Sequence, residues 1–328
     1  MGKRINVMDG MSVKIQDALT FLIGQLEYLD PIIKDPLHAE SYAKYLPIKS
    51  DAGWVESTSF ISANAKGSEQ RLGGTGSNAI RRIGADLVKT PTPVDEYKAA
   101  NDYGVDELYK ASKAGINLDD LYYKMLRIDY EKYVDRIAFV GFANKSIPGL
   151  LQGRTGVFTY NVPNGAALSP LWANKTPLEI LVDINAIIMN VRQRTGYSQF
   201  PNLILVDELN FAYIATTMIN ALGNRSILDY VLENNAARKA GINLIIAPSK
   251  WCAPQVVDGV TVGGNVAHTG NRMCAYINDS AFTRFHLPVP LTREDVTKID
   301  LRISVPFIAQ IGGVEIIYNE SIAYADGI

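Results

Sequence analysis

The chain has 328 residues, of which 47% are hydrophobic, 20% charged and 9% aromatic, a balance that excludes disordered, collagen-like and disulfide-scaffold proteins. Its 32 Lys and Arg against 34 Asp and Glu give a net charge of −2, so no bulk attraction draws it to nucleic-acid phosphates and a DNA- or RNA-binding enzyme is disfavoured. Folded compactly, it would leave about 13,000 Å² exposed of roughly 52,000 Å² in the unfolded chain, enough core for one large domain or two.

Cys252 and Cys274 are the only cysteines and form no CxxC pair, which points to a reducing compartment and away from a disulfide framework or a cysteine-rich zinc site. The start Met1-Gly2-Lys3-Arg4-Ile5-Asn6 lacks the apolar stretch of a signal peptide, and Asn6 breaks the myristoylation pattern. The run Ile180–Val191 is interrupted by Asp183, Asn185 and Asn190, too polar for a membrane span. Synthesis in a cytoplasm, with no membrane partner, is the expectation.

In chain order, Val13, Ile15, Leu19, Leu22, Ile23, Leu26 and Leu29 recur at helical spacing until Pro31 and Pro36, predicting an amphipathic helix. Its apolar stripe needs cover from its own body or from a neighbouring subunit. Residues 51–88 are less ordinary: Gly, Ser, Thr and Asn fill 15 of the 38 positions, too few large apolar residues for a core and too long a stretch for a typical connection. Alternation around Trp54–Ser62 and the cluster Gly73-Gly74-Thr75-Gly76 predict the two strands of a long hairpin. Strands of that length reach about 60 Å against a radius of gyration near 20 Å for a compact chain, so an extended hairpin projects. Its exposed edges then need a partner surface.

After Pro91 and Pro93 helix is expected. Asn117 is a good N-cap with Asp119 and Asp120 behind it. The rows Leu118, Leu121, Tyr122, Met125, Ile128 and Leu126, Tyr130, Val134, Ile137 predict a spine helix of about twenty residues, roughly 30 Å long. Residues 157–290 alternate helix and strand signals: a helix capped by Thr176-Pro177 with Glu179 and running to Arg194, a strand Asn202–Val206, a further apolar helix, a helix Ile227–Lys239, and strands Ile242–Ala247 and Met273–Ile277. This is a mixed α/β lobe. Arg302–Pro306, Phe307–Ile311 and Val314–Tyr318 read as tail strands returning to the spine helix.

No catalytic constellation emerges. Leu203–Glu208 looks like a Walker B strand, yet no G-x-x-x-x-G-K-[ST] is present to cradle phosphates, and Asp207-Glu208 reads as an acidic helix cap. His38, His268 and His286 show no ligand spacing, the two cysteines read as small buried hydrophobes, and no nucleophile elbow is found. No cofactor, metal or catalytic residue is assigned.

The order of parts, namely helical arm, Gly/Ser/Thr hairpin, spine helix, α/β lobe and tail strands, resembles the major capsid protein of tailed bacteriophages, the Hong Kong 97-type fold, over essentially the whole chain. Local echoes are Glu131–Ile137 running into Gly141, then Ile147-Pro148-Gly149-Leu150-Leu151-Gln152, with Gln152 where Asn is usual. The resemblance implies an α+β fold divided into an N-terminal arm (1–50), an extended loop (51–90), a peripheral domain with the spine helix (91–156), an axial domain (157–290) and C-terminal strands returning to the peripheral domain (291–328). It implies no enzyme but a virion subunit assembling, in the host cytoplasm, into hexamers and pentamers of an icosahedral shell around double-stranded DNA, with scaffold, portal and cement proteins as partners. The retained Met1 favours a separate scaffold. Inter-subunit contacts are expected from Trp54, Phe60, Ile61, Arg71, Leu72, Arg81 and Arg82, DNA contacts from Lys3, Arg4 and Lys14, and Lys66 is where a cross-linking lysine would be sought. An encapsulin-type compartment and an unrecognised cytosolic α/β enzyme are the alternatives.

Overall fold

The computed structural model describes residues 42–50, 52–66, 84–114, 118–154, 156–219, 225–257, 260–262 and 270–328. The amphipathic segment 13–29, the glycine cluster 73–76, Asn117 and His268 lie outside the described residues.

The description begins with one helical turn, α1 (Tyr42–Tyr45), and a short strand, β1 (Ile48–Lys49). Strands β2 (Ser57–Lys66) and β3 (Gly84–Pro93) then pair antiparallel in unbroken register, from Ser57 opposite Pro93 to Lys66 opposite Gly84. The alternating Ser/Thr pattern therefore forms the ribbon it predicts. The next segment departs from expectation, because a strand, β4 (Asp95–Gly104), precedes any helix. Its polar sequence carries no clear strand signal; ten consecutive pairings to a distant strand hold it extended, and tertiary pairing overrides local propensity.

Helix α2 (Val105–Ala114) leads to the spine, α3 (Leu118–Val140), whose 23 residues span about 35 Å. Of the two apolar rows, Leu126, Tyr130, Val134 and Ile137 are buried, whereas Met125 is exposed. The spine ends at β5 (Gly141–Phe142), which pairs with β6 (Ile147–Pro148). Here backbones approach closely: a Cβ on Gly149 would lie 2.3 Å from the Gly141 nitrogen, and Gly141 itself sits at φ +77°. Only glycine fits both places.

The lobe begins with β7 (Phe158–Asn161) and α4 (Pro177–Arg194). Thr176 and Glu179 form a reciprocal capping box on α4, and Gly196 at φ +62° follows its end. Strand β8 (Leu203–Val206) runs into α5 (Glu208–Thr216), capped by Asp207. Strands β9 (Met218–Ile219) and β10 (Arg225–Ser226) precede α6 (Ile227–Asn234) and α7 (Ala236–Lys239). One helix was expected over 227–239. Buried Asn235, extended at ψ 157°, divides it: its Nδ2 donates to the Val231 and Leu232 carbonyls while its Oδ1 caps the Arg238 amide.

Strands β11 (Ile245–Pro248), the short pair β12 (Gln255–Val257) and β13 (Val260–Val262), and β14 (Arg272–Tyr276) follow. The remaining strands are β15 (Thr283–His286), β16 (Val289–Arg293), β17 (Thr297–Ile299), β18 (Arg302–Ile311), β19 (Val314–Ile316) and β20 (Ile322–Asp326). The central sheet has the order β11-β8-β14-β20-β7. Successive strand residues face opposite sides, so Leu203, Leu205, Cys274, Tyr276 and Tyr324 join the spine in one core, whereas Ile204, Val206, Met273, Ala275 and Ala323 join α4 in another.

The tail divides. Residues 302–311, expected as two pieces, form the single strand β18 straight through Pro306, paired with β4 beside the spine. Strand β20, which the sequence reading passed over, instead enters the central sheet between β14 and β7. Its Asp326 carboxylate takes two hydrogen bonds from the Arg272 guanidinium, at 2.7 and 3.0 Å.

Candidate assembly surface at the hairpin root

The hairpin meets the body through a polar bond on one side of its root and a shared cavity on the other. On one side the Val55 amide donates to Gln310 Oε1 at 3.1 Å. Buried Asp95, one residue beyond Val94, accepts from the Tyr133 hydroxyl at 2.6 Å and from its neighbour's amide, and it pairs with Lys145. Burial and this carboxylate push the Tyr133 phenol well above its usual pKa, so the phenol keeps its proton and stays the donor. Trp54, 57% exposed, stands at the mouth of a groove of about 650 Å³ whose lining includes Glu56, Lys98 and Gln310.

On the other side, Thr90, Pro91 and Thr92 cover a smaller cavity of about 310 Å³ that reaches Arg154 and Glu315. Glu315 Oε2 lies 2.9 Å from Arg284 Nε and 2.8 Å from His286 Nε2. Burial alone would raise the Glu315 pKa, but His286 and Arg284 outweigh it and hold the carboxyl below its usual range. Arg154 donates to the Gly149 and Val314 carbonyls at 2.9 and 2.6 Å, its own pKa lowered by burial. The Val55–Gln310 bond ties the ribbon's root to tail strand β18, while Thr90, Pro91 and Thr92 share the second cavity with Arg154 and Glu315.

Of the expected contact residues, Trp54 is placed with its side chain at the root, and Phe60, Ile61 and Lys66 lie along β2. Arg71, Leu72, Arg81 and Arg82 lie outside the described residues, as do Lys3, Arg4 and Lys14. The root residues Asp95, Tyr133 and Gln310, and Glu315 in the second cavity, were not anticipated: each is an ordinary polar residue locally, and only tertiary pairing brings them to the ribbon's root.

Elsewhere the polar groups serve the fold. Asp207 accepts from the Asn210 amide at 3.1 Å as a helix cap. Burial raises the thiol pKa values of Cys252 and Cys274, which keeps both as unreactive thiols. Lys175 and Asp183 form a buried pair at 2.7 Å, with the Trp172 indole donating to the same carboxylate. Among the described residues no group of three His, Cys, Asp or Glu is arranged to hold a metal ion, and no helix is long and apolar enough to cross a membrane.

Known structures share this architecture. The capsid of Myoviridae phage XM1 aligns with a TM-score of 0.73 at 16% identity, covering 93% of this chain and 97% of that one. The capsid of a native GTA particle aligns at 0.60 and 9% identity over 92% and 94%, and a protein of Mycobacterium phage Ogopogo at 0.56 and 13% over 92% and 96%. The fold is thus the Hong Kong 97-type capsid fold. Among curated protein sequences none matches. The family model described as "Major capsid protein" matches residues 70–328, and the chain therefore belongs to the major capsid protein family, structural subunits of virion shells rather than enzymes.

Proposed function

We propose that this chain assembles as hexamers and pentamers into the icosahedral head shell that encloses double-stranded phage DNA, with its hairpin lying on the adjacent copy. One observation carries the placement of the hairpin: β2 and β3 pair with each other over ten positions, and among the described residues no third strand joins them. A two-stranded ribbon is marginal in water, so a neighbouring copy supplies the surface that stabilises it, and the shell gains interfaces absent from the monomer. Contacts between unlike surfaces, closed by rotation, make rings.

In this reading residues 1–50 are the arm, 51–90 the extended loop, 91–156 the peripheral domain and 157–290 the axial domain, while the tail strands from 291 complete the sheets. Scaffold, portal and cement proteins are the remaining partners, and Lys3, Arg4 and Lys14 face the DNA. Negative-stain microscopy of the purified protein tests the reading. Shells, hexamers or pentamers are expected; a monomer or dimer at every concentration, with scaffold co-expressed or not, refutes it.

A further inference from the structure

The outer edges of β4 and of β2 are taken up by no described strand. Their alternation is fixed by hydrogen bonds on the opposite side. Ala100 of β4 faces Pro306 of β18, and the Pro306 carbonyl accepts from the Glu294 amide at 2.9 Å, on the side of β18 away from β4. In an antiparallel pair both groups of such a residue and of its opposite number point outward. Ala100 therefore directs its N–H and C=O away from the sheet, as do Glu96, Lys98, Asp102 and Gly104 by alternation. The outermost two amides are capped within the chain, Glu96 by the Asp95 carboxylate at 2.9 Å and Gly104 by Glu107 at 3.3 Å. Between them Lys98, Ala100 and Asp102 form a row of three rungs that no described strand takes up. The strand carries neither a bulge nor a proline, two of the devices that close an edge.

The hairpin has one closed edge and one open edge. The Val94 amide bonds to the Glu56 carbonyl at 3.3 Å, and the Val55 amide to Gln310, so even-numbered residues of β3 face β2 and odd-numbered residues of both strands face outward. The outward row of β3 includes Pro91 and Pro93, which offer no N–H and guard that edge. The outward row of β2 is Ser57, Ser59, Ile61, Ala63 and Ala65, every one with its amide.

We infer that the outer edge of β2 of one copy adds as a strand to the outer edge of β4 of a second copy, filling the Lys98–Asp102 rungs by main-chain hydrogen bonds. The giving and receiving edges differ, so the contact is head-to-tail, the kind that builds a ring where the rotation between copies closes. Backbone pairing also explains how a Ser/Ala-rich ribbon with little apolar surface binds firmly. The inference rests on the shell-subunit reading and specifies how the hairpin engages its neighbour.

Proline substitution tests it, because proline on an outward position deletes only an outward N–H and leaves the pairing within the chain. Ala100→Pro and Ala63→Pro are each expected to lower assembly about tenfold or more, a lost hydrogen bond and a steric block to the incoming strand. Lys89→Pro, on the edge that prolines already guard, is expected to assemble like the parent. Circular dichroism melts of dissociated subunits check folding. Hydrogen exchange on the parent protein gives a second readout free of any folding defect: the Lys98, Ala100 and Asp102 amides are expected to exchange at least about tenfold more slowly in shells than in subunits. Shells whose three amides exchange as in free subunits overturn this inference and leave the shell reading intact, whereas a parent chain that forms no particles overturns the shell reading itself.

Discussion

Asp135 is fully buried in the C-terminal third of the spine helix, and its removal offers a quantitative test of how α3 holds the rest of the body. Its Oδ1 accepts the Tyr42 amide at 3.1 Å and its Oδ2 accepts the Trp251 indole N–H at 2.7 Å, with Lys250 Nζ 3.1 Å away. One carboxylate thus ties the start of the described chain and the turn after β11 to the spine. Asp135→Ala takes this carboxylate acceptor away from two buried donors. At about 1.5–3 kcal/mol for each hydrogen bond to a charged group, the cost is about 3–6 kcal/mol; half-exposed Lys250 adds little. For 328 residues the unfolding entropy is about 0.7 kcal/mol/K, so 4 kcal/mol lowers Tm by about 6 °C. The assay is thermal unfolding of the unassembled subunit by circular dichroism, with Trp251→Phe completing a double-mutant cycle. Removing the indole donor removes the need for its acceptor, so the double variant is expected to lose about 1–2 kcal/mol less than the sum of the singles. Additive effects, or a loss below about 1 kcal/mol for Asp135→Ala, refute the reasoning.

Two further outcomes follow from the same geometry. Because Glu315 is held below its usual pKa in the native state, the unfolded chain protonates there first as pH falls; stability is present above the ordinary carboxylate value of about 4.3 and is lost as pH drops through the lower native value. Urea midpoints of the subunit from pH 6 to pH 3 are expected to decline, and Glu315→Gln to flatten part of that decline; an unchanged profile in the variant removes Glu315 from the explanation. Gly149→Ala places a Cβ 2.3 Å from the Gly141 nitrogen and is expected to cost about 3 kcal/mol or more, whereas Gly196→Ala, with nothing within 4 Å but φ at +62°, costs about 1 kcal/mol. Soluble yield and urea midpoints distinguish the two, and equal losses would mean that small backbone shifts relieve the crowding at Gly149.

The elements best legible in the sequence carry their own local cause. Thr176-Pro177 with Glu179 specifies the start of α4 without outside help, because proline presets φ and the two side chains bond each other's amides. The run Leu203–Val206 reads as a strand buried on both faces because every residue is apolar, and it is. Strand β4 and the hairpin anchors were illegible for the converse reason. Asp95-Glu96-Tyr97-Lys98 has no strand periodicity of its own, and its pairing partner lies more than 200 residues later in β18. Asn235 is intermediate: asparagine signals a cap, yet only its burial between two helices shows that it caps one while closing the other.

By itself the sequence determined the Gly/Ser/Thr ribbon, the spine, the capped helices, the lack of a catalytic constellation and, through the order of these parts, the resemblance to a shell subunit. Each depends on residues near one another in the chain, where propensity and periodicity act. Only the tertiary structure decided that the tail divides among three sheets, with β18 beside β4, β19 beside β15 and β20 beside β14, that Asp95, Tyr133 and Gln310 meet at the ribbon's root, and that no described strand takes up the outer edges of β2 and β4. Those outcomes depend on which distant backbones compete for the same hydrogen bonds, and a one-dimensional pattern does not encode that competition locally.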